Sequence, residues 1–199
     1  MTIPVQEFDG MKPQQLISDI DGFMVAIERM LSELSLDLSE FELDHIALRI
    51  NEPSLAHMLL PEWQSISTVL SDAEINGRPI YIFKLNQPLK LSHWCTACVE
   101  YPFPKNGKPY PFQGWEHVEF VVPSQATNAQ DYLLELYQRF PDMESRVENL
   151  SKEGLTVKLS QPKGEKERLP NPTVAFKWKD VCVKLHPNSI EQIILSESI

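Results

Sequence analysis

The chain has 199 residues, of which 42% are hydrophobic and 23% are charged, a composition typical of a soluble globular protein. Its 18 basic and 28 acidic residues give a formal net charge of -10, which argues against a nucleic-acid-binding protein and against one that lies on an anionic membrane. The sequence contains neither an apolar run of about 18 residues nor a secretory signal pattern at its start, so we expect a cytoplasmic protein.

The first predicted element is an amphipathic helix over residues 12–36. Apolar side chains recur there at intervals of three and four positions, from Leu16 to Leu34, and most acidic residues lie off that face. We favour a helix that packs on the rest of the protein as an N-terminal extension. A partner-binding helix is the alternative.

The next part of the chain reads as strand, helix and three strands. The predicted elements are a strand over 44–50, a helix over 53–60, and strands over 65–73, 78–85 and 94–101. Asn76-Gly77 is a strong signal for the tight turn between two of these strands.

A connector rich in proline and glycine, residues 102–114, precedes a second run of the same order. The elements predicted there are a strand over 115–122, a helix over 128–140, strands over 155–159, 173–178 and 181–185, and a final helix over 189–195. This repeat predicts an α+β protein with an N-terminal extension (1–38), a first module (39–104), a linker (105–113) and a second module (114–199) in one compact domain.

The three cysteines do not indicate a disulfide scaffold, because their number is odd. Cys95 and Cys98 match the C-x-x-C pattern of redox and zinc sites. They lie in a predicted strand, however, where residues three apart point to opposite faces. We therefore expect neither kind of site there.

Three histidines are placed where they could meet. His45 and His117 open the first strand of each module, 72 residues apart, and His186 ends the last strand. Glu100 ends the last strand of the first module. If the two modules pair about a pseudo-two-fold axis, these side chains converge and supply the nitrogen and oxygen ligands of a divalent metal ion. Packed, hydrogen-bonded histidines are the alternative.

Other charged residues are candidates for substrate chemistry. Glu119 shares a face with His117 and could be a ligand, a partner of a ligand or a general base. Arg49 shares a face with His45, and Lys184 lies near His186, so both could bind an anion. Arg168 belongs to a charged loop over residues 161–172, which is either a solvated loop or a lid.

Several segments together resemble the YecM family, over roughly residues 15–197. They are Asp44-His45-Ile46-Ala47-Leu48-Arg49, Ile75-Asn76-Gly77-Arg78-Pro79-Ile80, Gly114-Trp115-Glu116-His117-Val118-Glu119, the motifs within residues 162–173, Leu185-His186-Pro187 and Ser189-Ile190-Glu191.

The resemblance implies a fold similar to that of the vicinal oxygen chelate superfamily, in which two βαβββ modules form a curved, half-barrel-like mixed sheet around a metal cleft. It implies His45, Glu100 and His117 as ligands. The fourth position, usually a glutamate, fits His186 best. The expected cofactor is a divalent ion such as Zn, Ni, Mn or Fe.

The function implied is that of a metal-dependent isomerase, lyase or oxygenase acting on a small, anionic or oxygen-rich substrate, with Glu119 as the base and Arg49, Lys184 and Arg168 as substrate-binding groups. The alternative is a non-catalytic protein that binds a small molecule in the same cleft without metal, against aromatic residues such as Trp94, Trp115 and Phe112. Since both modules are on one chain, a monomer or a homodimer is expected.

Overall fold

A computed structural model describes residues 5–75, 77–105, 110–161 and 169–197. The chain divides into two compact units. The first comprises Met1–Phe23 and His45–Glu116, and the second comprises Met24–Asp44 and His117–Ile199. The boundaries fall inside helix α3 (Ile20–Glu33) and strands β1 (Glu42–Arg49) and β6 (Gly114–Val121).

The N-terminal part is helical, as predicted, but it is interrupted. Helices α1 (Val5–Gly10) and α2 (Pro13–Ser18) precede α3, and α2 ends at Asp19. The hydroxyl of Ser18 donates to the backbone carbonyl of Gln15 at 2.8 Å. The side-chain amide of Gln15 donates to the carboxylate of Asp19 at 2.7 Å. The Ser18 bond competes with the helical backbone bonds, and the chain leaves the helix at Asp19, so one predicted helix forms two.

The first unit contains a module of one helix and a mixed sheet. After β1 come α4 (Pro53–Ser65), β2 (Ser67–Ser71), β3 (Glu74–Ile75), β4 (Arg78–Leu91) and β5 (Trp94–Pro102). The sheet order is β2-β4-β5-β1. Strand β1 runs parallel to β5, whereas β2, β4 and β5 are antiparallel neighbours and β3 pairs with β4.

Apart from the two-residue strand β3 and an additional helix, the second unit repeats this topology. After β6 come α5 (Ala129–Arg139), α6 (Met143–Ser151), β7 (Thr156–Ser160), β8 (Thr173–Trp178), β9 (Val181–His186) and α7 (Ile190–Glu197). The sheet order is β7-β8-β9-β6, with β6 parallel to β9 and the other pairs antiparallel. The predicted α+β class with two βαβββ modules is therefore confirmed. In each module the first strand lies beside the last.

Each module carries a helix with one buried face. Leu55, Ala56, Leu59 and Trp63 are buried on α4, and Ala129, Tyr132, Leu133 and Leu136 on α5. Their spacing of three and four residues is that of one helix face. None of the helices in the described part of the chain is long and apolar enough to cross a membrane.

Several elements differ from the prediction: helix α4 runs to Ser65 instead of ending near residue 60, and the short elements α1 and β3 were not predicted. Strand β4 continues to Leu91 instead of ending near Leu85, because a shift in register between Lys84 and Leu89 accommodates Pro88. Helix α6 was not predicted. Strand β5 places Cys95 on an exposed face and Cys98 on a buried one, as expected for residues three apart.

Some predictions fall outside the described residues. They concern Asn76 of the predicted turn, residues 106–109 of the predicted linker and residues 162–168 of the charged loop, which include Arg168.

Candidate metal centre

In the first unit, the parallel pairing of β1 and β5 brings His45 and Glu100 together. His45 is opposite Cys98 in the register, and Ala47 is opposite Glu100. The Nε2 atom of His45 lies 3.7 Å from Oε2 of Glu100, and His45 is buried. Two neighbouring strands thus hold one imidazole and one carboxylate of the predicted ligand set.

In the second unit, β6 and β9 pair in the same way. His117 is opposite Cys182, and Glu119 is opposite Lys184. His117 therefore corresponds to His45, and Lys184 corresponds to Glu100. Glu119 corresponds to Ala47, so the carboxylate of this unit comes from the first strand and the last strand supplies a lysine in its place.

His117, Glu119 and Lys184 form a triangle of contacts. The Nζ atom of Lys184 lies 2.7 Å from Oε1 of Glu119 and 2.8 Å from Nε2 of His117, and those two atoms are 3.1 Å apart. An ammonium group has hydrogens to donate and no lone pair with which to accept. Nε2 of His117 therefore presents its lone pair to Lys184, as it would to a metal ion.

His186 lies on the other side of Glu119. Its Nδ1 donates to the carbonyl oxygen of Asn188 at 2.6 Å, which leaves Nε2 to face carboxylates. Nε2 lies 3.3 Å from Oε2 of Glu119 and 3.5 Å from Oδ2 of Asp44. A ring nitrogen between two carboxylates is favourable only if it carries a proton or binds a cation.

Asp44 is the site residue that the sequence reasoning missed. The residue is 5% exposed, and both oxygens of its carboxylate accept the backbone N–H of Ile190 at 3.0 Å, at the start of α7. Its place beside His45 in the sequence was a visible signal. Its approach to His186 depends on the tertiary fold.

Negative charge accumulates at this end of the second unit. Burial, and then the charges of Asp44 and Glu191, raise the pKa of Glu42 above its usual value. Because Asp44 and Glu119 both lie beside Nε2 of His186, the carboxylates favour a positive charge at that ring nitrogen.

The donor atoms fit a divalent ion. Two atoms that each bind one ion at about 2.1 Å lie at most about 4.2 Å apart. The separations within the units, from 3.1 Å for His117 and Glu119 to 3.7 Å for His45 and Glu100, are below that limit. In the second unit, Nε2 of His186 thus lies within 3.5 Å of two carboxylates, and each of these pairs has a spacing that two ligands of one ion can have.

Arg49 has partners of its own. Its guanidinium pairs with Glu116 and lies 4.0 Å from the centre of the Tyr110 ring. Asn51 holds the backbone of Tyr110 through two hydrogen bonds, of 2.7 and 2.9 Å. The role of Arg49 in binding an anion stays a prediction, as does that of Lys184.

The aromatic residues proposed for a metal-free cleft have different surroundings. The indole N–H of Trp115 donates to the carbonyl of Leu16 at 2.8 Å, and its ring packs on Trp63. Trp94 is buried, whereas Phe112 is 63% exposed.

Comparison with known proteins gives relatives over nearly the whole chain. "Protein YecM" from Escherichia coli strain K12 is 39% identical over 184 residues, which are 92% of this chain and 93% of the relative. An uncharacterized protein from Haemophilus influenzae Rd is 35% identical over 185 residues, covering 90% and 92% of the two chains.

A solved structure described as "Structural Genomics, Protein EC4020" has a TM-score of 0.78 and 34% identity, and the match covers 99% of this chain and 98% of that one. The model of the YecM protein family matches residues 12–197. On these matches, the chain belongs to the YecM family.

Proposed function

We propose that this protein binds one divalent metal ion through His45, Glu100 and His117, with His186 as a further ligand, and acts on a small substrate with vicinal oxygens. Each unit by itself offers an imidazole and a carboxylate of the kind that bind a divalent ion, His45 with Glu100 in the first and His117 with Glu119 in the second. The observation that carries the proposal is the shared register, which gives each unit one buried histidine on its first strand with a carboxylate beside it.

When bound, the ion would supply Lewis-acid polarisation of the substrate oxygens. Glu119 is the residue that would accept a proton, because its carboxylate lies directly beside His117. Arg49, Lys184 and Arg168 are the cations that would bind an anionic substrate. Isomerase or lyase chemistry is favoured over oxygenation, since enolisation needs one metal ion and one base.

Metal content is the direct test. Elemental analysis of tag-free protein should give about one equivalent of a transition metal, and the His45→Ala, His117→Ala double variant should have lost it. Metal at about a hundred times its dissociation constant should also stabilise the unsubstituted protein by about 2.7 kcal/mol. Thermal unfolding with and without the ion measures this.

A second double variant, His57→Ala with His93→Ala, is the matched control. Both histidines are exposed and belong to the first unit. This control variant removes two imidazoles, as the test variant does. It should keep the metal. Equal metal content in both double variants, or no uptake on titration of any of the proteins, would contradict the proposal and would favour the non-catalytic ligand-binding alternative.

A further inference from the structure

Lys184 occupies the position in the second module that Glu100 occupies in the first. The parallel strand pairs place Glu100 opposite Ala47 and Lys184 opposite Glu119. Ala47 and Glu119 each lie two residues after the histidine of their strand. One module therefore presents a carboxylate at this position and the other presents an ammonium. A lysine there cannot bind a metal ion while it carries its charge.

The ammonium makes the contacts that a metal ion would need. Its Nζ atom lies within 2.8 Å of both Nε2 of His117 and Oε1 of Glu119, and those atoms are 3.1 Å apart. The lone pair of His117 cannot serve Lys184 and a metal ion together. The two cations would also repel each other at such a distance.

Lys184 is the member of this triangle that can leave. Its side chain is 26% exposed, against 5% for His117 and 10% for Glu119. A lysine has a flexible four-carbon stem, and its head group is strongly hydrated. Rotation of the stem would move the charge into water, while the two strands keep His117 and Glu119 in place.

We propose that Lys184 is an internal cation of the His117–Glu119 half of the site, and that a divalent ion binds there only by displacing it. This inference rests on the proposed function and concerns how that site is regulated. Lys184 stabilises the metal-free form, lowers the affinity for metal, and is released to solvent when the ion binds.

Calorimetric titration with Mn²⁺ and with Zn²⁺ tests the effect on affinity. Lys184→Met removes the charge and keeps most of the stem, so it should bind the ions at least about tenfold more tightly than the unsubstituted protein. Lys158→Met, at an exposed position of β7 in the same unit, is the matched control and should bind them with unchanged affinity. Equal or weaker binding by Lys184→Met would overturn the inference.

Lysine labelling of the unsubstituted protein does not depend on the folding of any variant. Brief acetylation followed by mass spectrometry should show faster modification of Lys184 when Mn²⁺ or Zn²⁺ is present, with no change at Lys158. An unchanged or slower reaction of Lys184 in metal-saturated protein would overturn the inference.

The two proposals fail in different ways. If the unsubstituted protein and Lys184→Met bind metal equally, and the His45→Ala, His117→Ala variant does not, then the metal site stands and the role of Lys184 falls. If neither the unsubstituted protein nor Lys184→Met takes up metal, both proposals fall.

Discussion

Tyr101 in the first unit and Tyr132 in the second are fully buried, and each hydroxyl donates to a backbone carbonyl. Tyr101 bonds to Ala56 at 2.7 Å and Tyr132 bonds to Val122 at 2.9 Å. Burial raises the pKa of both phenols well above their usual value, because the phenolate would lose its hydration.

This burial predicts that the protein loses stability in alkali. Since both folded-state pKa values are raised, the contribution is complete below the unfolded-state value of about 10 and is lost as the pH rises above it. One pH unit above that value, each tyrosine should cost about 1.4 kcal/mol of unfolding free energy. Urea unfolding at pH 8 and pH 11 measures the loss.

The double variant Tyr101→Phe, Tyr132→Phe identifies the source. It should lose about 1 kcal/mol per hydrogen bond at pH 8, yet its unfolding free energy should fall less between pH 8 and pH 11. Tyr110→Phe, at a residue that is 39% exposed, is the control. A fall in the double variant as large as that in the unsubstituted protein would contradict the assignment.

Some of the candidate site could be predicted from single residues and some could not. His45 and His117 were recognised because each opens a strand at the same place in a repeated pattern. Lys184 could not be matched to Glu100 in the same way. The histidines are 72 residues apart, whereas Glu100 and Lys184 are 84 apart, because the segment between the first and the last strand is longer in the second module. Only the strand register shows the correspondence.

At the scale of whole elements, regular patterns were predicted best. The strands at 173–178 and 181–186 match the expected segments within one residue, because each is a short, largely apolar run bounded by Pro172, Lys179-Asp180 or Pro187. Helix α6 was missed since its buried residues, Met143, Val147 and Leu150, are few among charged neighbours. The continuation of β4 past Pro88 depends on a bulge, which no periodicity reveals.

Helix α5 begins at a side-chain cap that can be tested. Asn128 precedes its first turn, and its Oδ1 accepts the backbone N–H of Asp131 at 2.9 Å. Asn128→Ala removes this bond and should lower the free energy of unfolding by about 0.5–2 kcal/mol. Chemical denaturation measures the change.

Asn128→Ser should keep most of that stability, because a serine hydroxyl can also cap. Asn149→Ala, on the exposed face of α6, removes the same side chain away from a helix start and should change little. If Asn128→Ala and Asn149→Ala were equally mild, the cap would contribute nothing to stability.

At the scale of the molecule, the two units share a strand topology but differ in what surrounds it. Residues 24–44 belong to the second unit, although they precede the first module in the chain. Several of their apolar side chains, including Ile27, Met30 and Leu34, are 0% exposed. Such burial is typical of core packing and differs from the solvent-facing apolar surface expected of a helix that awaits a partner.

This burial predicts that the N-terminal helices are required for folding. Fully burying one large apolar side chain contributes about 1.5–3 kcal/mol, so loss of the nine that are buried between Met11 and Leu36 would match or exceed the usual total of about 5–15 kcal/mol. Protein lacking residues 1–36 should therefore show no cooperative urea transition. Ile27→Ala should cost about 2–5 kcal/mol, whereas Val25→Ala, at a residue of the same helix that is 64% exposed, should be nearly neutral. A truncated protein that unfolds at the same urea concentration as the full chain would instead favour a partner-binding role for these helices.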